Sequence, residues 1–426
     1  MKTAGEGTEL AHLFRHESGR LLAALVRLFG THNLALAEDV LSDALCRAVE
    51  VWKFSGVPDD PRAWLLTAAR NRAIDVLRRE KTARDFSPDL THLVSTEWSL
   101  VGTVSAVLSG ELADEQLSMM FACCHRTIPE PTQVALMLHV LSGFSAAEVA
   151  RAFLVPEAAM LKRLQRGKAS LAELRDVFHE ESSPLGGDGA RARTSAVLGA
   201  LYLLFNEGYH GSSPDDPIRA ELCLEAIRLV ELLTRHPTAD SPETRALAAL
   251  MCLHASRLPA RTSPEGELLT LSAQDRSLWD RSLIARGLDW LESAAEGDEL
   301  SAFHVEAAIA AEHAFAASHE ATQWGRIREL YELLYRIRPT PVVALGRAIA
   351  HAEAHGPAAG LAELDAIADR ERLANYPFLE AAHGELHLRL GHAREAASHF
   401  ERALALARSD SERRFLERRL ALSRDV

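Results

Sequence analysis

From one end to the other the chain is written in helix formers. Ala, Leu, Glu and Arg dominate and runs of β-branched residues are scarce. Propensity summed over long windows therefore favours helix almost everywhere, and an all-α fold is expected. At 426 residues the chain is too long for a single core, so two to four domains are expected. Hydrophobic residues make up 47% and charged residues 25%, the balance of a chain that buries a core.

The formal net charge is −13. A freestanding DNA binder needs an excess of Lys and Arg to neutralise phosphates. An acidic total with local basic helices fits a chain that binds DNA as part of a larger machine, or one that never touches DNA. The placement of the basic residues has to decide. The five cysteines are Cys46, Cys123, Cys124, Cys223 and Cys252, an odd number without a CxxC pair, which points to a reducing cytoplasm. Cys123, Cys124 and His125 adjoin one another. Neighbouring cysteines cannot alone supply four convergent ligands, so core packing is the expected role. The N-terminus has no apolar export region, and no run of about 18 apolar residues occurs, so neither export nor a membrane span is expected.

Punctuation divides the chain into segments 8–81, 82–111, 112–178, 179–192 and 193–426. The second reads as a linker around Ser87-Pro88, and the fourth as a hinge built on Ser182-Ser183-Pro184-Leu185-Gly186-Gly187-Asp188-Gly189. Asp60 before Pro61 is a cap followed by proline at the first helical position. Ser145 with Glu148 forms a capping box, and Pro156 opens a further helix.

In the first segment, Leu36, Val40, Leu41, Ala44 and Ala48 make an apolar stripe, with Glu38, Asp39 and Asp43 on another face. The following helix, residues 61–81, can pack Ala63, Leu66, Ala69, Ala73, Ile74 and Leu77 inward. It carries Arg62, Arg70, Arg72, Arg78, Arg79 and Lys81 elsewhere, with Trp64 near its start. Cations with an aromatic platform suit single-stranded DNA, although a lone Trp serves a core equally well. The ordered set Ala37-Glu38-Asp39, Asp43 four residues on, Pro61-Arg62-Ala63-Trp64-Leu65 and residues 69–79 (ARNRAIDVLRR) resembles region 2 of extracytoplasmic-function sigma factors of the sigma-70 family. The resemblance implies that Asp39, Val40, Asp43 and Ala44 face core RNA polymerase. It implies that Arg62, Trp64, Arg70, Asn71, Asp75, Arg78 and Arg79 lie at the −10 element. Ser42 stands where glutamine is common in that family.

Residues 132–174 read as a support helix and a helix-turn-helix, whose second helix from Pro156 carries Lys162, Arg163, Arg166 and Lys168. Such a helix enters the major groove, its N-terminal residues nearest base edges and its cations on phosphates. The stretch resembles sigma region 4, the reader of the −35 element. By that resemblance Glu157, Ala158, Met160 and Lys162 lie nearest bases, and Arg163, Arg166 and Lys168 contact phosphates. The run Phe121-Ala122-Cys123-Cys124-His125 and the stretch 150–158 resemble a subgroup with a long C-terminal tetratricopeptide-like extension.

Beyond the hinge, helix follows helix. The stretch 203–209 (LLFNEGY) resembles the opening of that extension, with Gly208 expected as a left-handed helix cap. Asn206 and Glu207 could hold a ligand or satisfy helix ends. Ser241-Pro242 caps another helix. Among many histidines, His383 and His387 stand four apart, half of a metal site without further ligands in the sequence, so no metal and no cofactor are expected. Gly384, Gly391, Ala396, Phe400 and Ala403 fit the spacing of a tetratricopeptide repeat, and Gly346 begins a weaker copy.

The expected protein is an all-α, cytoplasmic, non-catalytic sigma factor: a region 2 bundle, a region 4 helix-turn-helix and a C-terminal tetratricopeptide-like domain that controls it. Its partners would be core RNA polymerase, promoter DNA and a protein or peptide on the repeat domain, with no membrane. The competing readings are a helix-turn-helix regulator independent of polymerase and a helical scaffold with decayed DNA elements.

Overall fold

The computed structural model describes residues 14, 17–26, 29–80, 108–153, 155–174, 188–210, 218–237, 239–263, 267–407 and 410–424. Among them the only β-pairing is an isolated antiparallel bridge, Thr262 with Leu268; everything regular is helical. Of the expected linker and hinge, only 108–111 and 188–192 are described, and both already lie in helices. The core of each reading, Ser87-Pro88 and Ser182–Gly187, lies outside the described residues, as does Lys81. The chain divides into two compact units, Met1–Leu201 and Tyr202–Val426.

In the first unit, residues 17–26 are helical, followed by α1 (Leu34–Ser55) and α2 (Pro61–Glu80). α1 buries Leu34, Ala37, Val40, Leu41, Ala44, Ala48 and Trp52, a stripe at helical spacing. It stops where Gly56 takes φ 78°, a conformation that costs glycine nothing, and the Gly56 N–H donates to Trp52 O. Asp60 restarts the helix, its Oδ1 accepting from Ala63 N at 2.9 Å. α2 turns Leu65, Leu66, Ala69 and Ala73 inward.

α3 (Leu108–Cys123) and α4 (Glu130–Leu136) come next, and α4 runs directly into a π-turn, Met137–Leu141. Cys123 and Cys124 are fully buried here, the Cys124 thiol 3.3 Å from Met137 Sδ, and burial pushes the Cys123 thiol up to about 12. They serve as small core hydrophobes. α5 (Ala146–Ala152) opens on the capping box: Glu148 N donates to Ser145 Oγ, and Ser145 N donates to Glu148 Oε2. α6 (Glu157–Ala172) buries Met160, Leu164, Gly167 and Leu171. A Cβ on Gly167 would lie 2.6 Å from Thr132 Cγ2, so the glycine lets α6 lie directly on α4.

α7 (Asp188–Tyr209) contains the boundary between the units. It continues through Gly208, which is not a left-handed cap. A Cβ there would meet Leu222 Cβ at 2.7 Å and Arg219 O at 2.8 Å, so the residue serves close packing against α8 (Ala220–Thr234). α9 (Pro242–Ala255) is capped by Ser241, whose side chain accepts from Thr244 N. α10 (Arg281–Ala294), α11 (Ala302–Phe315), α12 (Trp324–Ile337), α13 (Pro341–His355), α14 (Pro357–Asp365), α15 (Pro377–Arg389), α16 (Ala393–Ala405) and α17 (Asp410–Arg424) follow. From α11 onward each packs on its chain neighbour, so the apolar core is a succession of clusters. Val305, Ile327 and Val343 belong to one, Leu345, Leu364 and Leu386 to the next, and Phe400, Leu416 and Leu420 to the last. Gly384 lies against the Phe400 ring and Gly346 against Tyr331, both where a Cβ would sit within 3 Å of the ring. These small-to-large contacts set how closely consecutive helices approach.

Candidate nucleic-acid interface

The α1–α2 hairpin sorts its charged residues into two kinds. Arg62, at the start of α2, is held by the buried carboxylate of Glu17 through two hydrogen bonds, Nε to Oε2 at 2.6 Å and Nη2 to Oε1 at 2.9 Å. The hydrogen bond to Glu17 raises the guanidinium pKa above its ordinary value. Arg72 is paired with Asp43 across the hairpin. Arg70 is half-buried and its Nε has no hydrogen-bond partner among the described residues, while Asn71 and Asp75 are exposed beside it. Trp64 stands edge-on to Trp52, ring centroids 5.3 Å apart, and so is half in the core. Arg78 and Arg79 lie on α2, but their side chains fall outside the described residues.

A groove of about 750 Å³ runs between the two helices, lined by Asp43 and Ala44 on α1 and by Trp64, Asn71, Arg72 and Asp75 on α2. Residues expected to face polymerase and residues expected to face DNA thus share one cleft. Two expectations need correction. Val40 and Ala44 have 1% and 2% of their surface exposed, because helical periodicity places them on the inward stripe with Ala37 and Ala48. Of the four expected polymerase contacts, only Asp39 and Asp43 present exposed side chains. Phe54 was not anticipated: it is 88% exposed at the end of α1, with Lys53 Nζ 5.9 Å from its ring. An aromatic set just before Ser55-Gly56, where the chain leaves the helix, was the available signal.

On α6 the exposed face carries Glu157, Ala158, Lys162 and Arg166. Arg163 is half-buried, its guanidinium 5.5 Å from the Phe153 ring centroid. Lys162, Arg163 and Arg166 line a second groove, of about 710 Å³, with Pro129 and Thr132 on its far wall. Met160 is the other correction. It is fully buried, since residues 160, 164, 167 and 171 form the inward stripe of α6, and it offers nothing to a base edge.

Lys168 does not face outward with Lys162 and Arg166. Its ammonium lies 2.6 and 2.8 Å from the two carboxylate oxygens of Glu38 on α1, and 3.1 Å from His139 Nε2. Burial, and then the Lys168 charge, lower the His139 pKa, so the ring stays neutral beside the ammonium. Two further contacts reinforce this clasp. Thr31 Oγ1 donates to Leu174 O at 2.7 Å, and Gly19 is pressed on the π-turn so closely that a Cβ would lie 1.8 Å from Leu141 O.

Comparison with known proteins follows the same division. Residues 13–83 match Sigma-70 region 2, residues 118–171 match Sigma-70 region 4, and residues 193–295 match a family of unknown function, DUF6596. The chain is also 38% identical over 401 residues to the uncharacterized protein R00370 of Rhizobium meliloti (strain 1021), covering 94% of this chain and 92% of that protein. No helix among the described residues is long and apolar enough to cross a membrane. With region 2 and region 4 in order, each on the helices just described, the chain belongs to the sigma-70 family, whose members bind core RNA polymerase and promoter DNA and direct transcription initiation.

Proposed function

We propose that this sigma factor is of the extracytoplasmic-function type and that its fused C-terminal helical domain, a tetratricopeptide-like array, controls it in place of a separate membrane anti-sigma factor. The chain makes and breaks no bond of its own and works in the cytoplasm with polymerase. Asp39 and Asp43 dock on the polymerase. Arg70, Asn71 and Asp75 hold the opened −10 strand against the Trp64 side of the groove, and the resemblance adds Arg78 and Arg79 to the −10 contacts. Arg166 seats α6 on the −35 duplex, with Glu157, Ala158 and Lys162 nearest the bases. The succession of paired helices from α11, closed by Gly346 on Tyr331 and Gly384 on Phe400, supports the repeat reading, and such arrays present a curved face to a protein or peptide.

The observation that carries the controlled state is the clasp of Lys168 on Glu38. The −35 and −10 elements lie roughly 25 base pairs apart, about 85 Å at 3.4 Å per pair. An α6 bound to α1 cannot reach one element while α2 holds the other. The clasped form is therefore a polymerase-free state, and promoter engagement releases Lys168 from Glu38 to a phosphate. The C-terminal domain sets how readily this opening occurs. Transcription from the gene's own upstream region, with the full chain and with a chain ending at residue 182, tests that control. A changed yield on truncation supports it; equal yields at equal polymerase occupancy refute it.

A further inference from the structure

The C-terminal domain holds a histidine cluster that promoter recognition does not use. His383 and His387 lie one turn apart on α15, and His399 reaches them from the neighbouring α16. One nitrogen from each ring falls within 4.8 Å of those of the other two. The rings of His383 and His399 are stacked at 4.8 Å between centroids and 9° between planes, and those of His387 and His399 at 5.3 Å and 16°. His383 is buried and the other two are half-buried, so the cluster sits at the seam of the helix pair and not on open surface.

We infer that His383, His387 and His399 form a binding site for a divalent transition-metal ion of the Zn²⁺ class, which fastens α15 to α16. Three imidazoles on two rigid helices are the donor set this ion prefers, with a fourth position left to water or a further ligand. His392, in the loop that joins the two helices, has its Nδ1 3.3 Å from His387 Nδ1 but stands outside the three-histidine group.

The surroundings supply what a histidine site needs behind its ligands. Glu380 Oε2 lies 2.8 Å from His399 Nδ1 and 2.8 Å from Arg402 Nε, and Arg402 Nη2 lies 2.7 Å from the same histidine nitrogen. A metal on His399 Nε2 selects the tautomer in which Nδ1–H donates to Glu380, the carboxylate behind a ligating imidazole, and Arg402 Nη2, itself only a donor, then turns away from Nδ1 while Nε stays on Glu380. His383 Nε2 accepts from Arg370 Nη2 at 3.2 Å, so its lone pair is already presented. The incoming ion displaces Arg370 toward Asp365, whose Oδ1 is 3.6 Å from Arg370 Nη1. Binding needs neutral imidazoles, and burial, followed by the neighbouring His399 and Arg370, pushes His383 down to about 4. The rings are stacked and their nitrogens more widely spaced than in a closed site, so binding has to unstack them by side-chain rotation before the three lone pairs meet on one ion. This inference does not depend on the sigma reading and can fail without it.

The test is ZnCl₂ titration of the tag-free full chain after chelator treatment, read by calorimetry and by metal content after gel filtration. Co²⁺ serves as a visible-absorption probe of coordination. One tightly held Zn²⁺ per chain is expected, with a raised melting temperature and the Co²⁺ bands of a tetrahedral site. His387→Gln and His399→Gln should each lose that ion and the thermal shift while keeping the helical circular-dichroism signal. His355→Gln, in the separate His351–His355 ring pair, should keep both. Retention of Zn²⁺ by the His387 and His399 variants, or no retained ion in the parent chain, would overturn the assignment.

Discussion

Lys168 Nζ lies 2.6 Å from Glu38 Oε1, so a helix of region 4 is bonded to the first long helix of region 2 across 130 residues of sequence. Both side chains keep about a quarter of their surface, and a pair this open contributes at most about 1 kcal/mol. Gly19 against Leu141 is the stiffer part of the contact, because an added methyl meets a backbone oxygen that cannot move aside. Glu38→Gln should therefore raise amide exchange in residues 137–142 by no more than about fivefold. Gly19→Ala should raise it well beyond that, in 17–26 as well as 137–142. Unchanged exchange in Gly19→Ala would show that the two regions do not hold each other in solution.

Arg62 and Arg70 separate structure from DNA contact on one helix. Arg62→Ala removes a two-bond partner from a buried carboxylate and should cost about 2–3 kcal/mol of stability. Arg70→Ala breaks no ion pair among the described residues and should leave the melting temperature within a degree or two, yet weaken open-complex formation. Differential scanning calorimetry beside permanganate footprinting of the −10 region separates the two. The reverse pattern would exchange the roles.

Phe54 is a large apolar side chain held in water next to a lysine. Base stacking on an aromatic contributes about 1–3 kcal/mol. If Phe54 takes an unpaired base, Phe54→Ala should lower open-complex stability by roughly 5- to 100-fold while leaving duplex −35 binding unchanged. An equally stable open complex would leave Phe54 without a DNA role.

Lys162 and Arg166 should each bring one cation to the duplex through the exposed face of α6. In holoenzyme binding to promoter DNA, each Ala substitution should reduce the slope of log affinity against log salt by about 0.9. Met160→Leu, a volume-conserving change in the core beneath, should not alter that slope. An unaltered slope for both cation variants would remove α6 from the duplex.

Local signals in the sequence were legible because they act over a few residues. Asp60, Ser241 and the Ser145–Glu148 box form the caps their spacing announces. Region 2 and region 4 were equally readable, since their motifs run in order. The inward turn of Val40, Ala44 and Met160 was also written there, in the spacing of the stripes 37–40–44–48 and 160–164–167–171. Val40 and Ala44 read both on that apolar stripe and, by motif position, at the polymerase, whereas Met160 reads by motif position alone. Gly208 was misread for a different reason: a glycine that frees backbone angles and one that admits a neighbouring helix look identical in a sequence. The pairs Glu17–Arg62 and Glu38–Lys168, and the arrival of His399 beside His383, are set by packing between distant helices, and no local pattern contains them.

The most direct measurement is transcription by bacterial core RNA polymerase mixed with the purified full-length chain, on a template carrying the gene's own upstream region. A discrete transcript that needs this chain, and that disappears when Asp39 and Asp43 are both changed to Ala in a still-folded protein, is the expected result. Failure of the folded chain to bind core polymerase at all would contradict its working as a sigma factor.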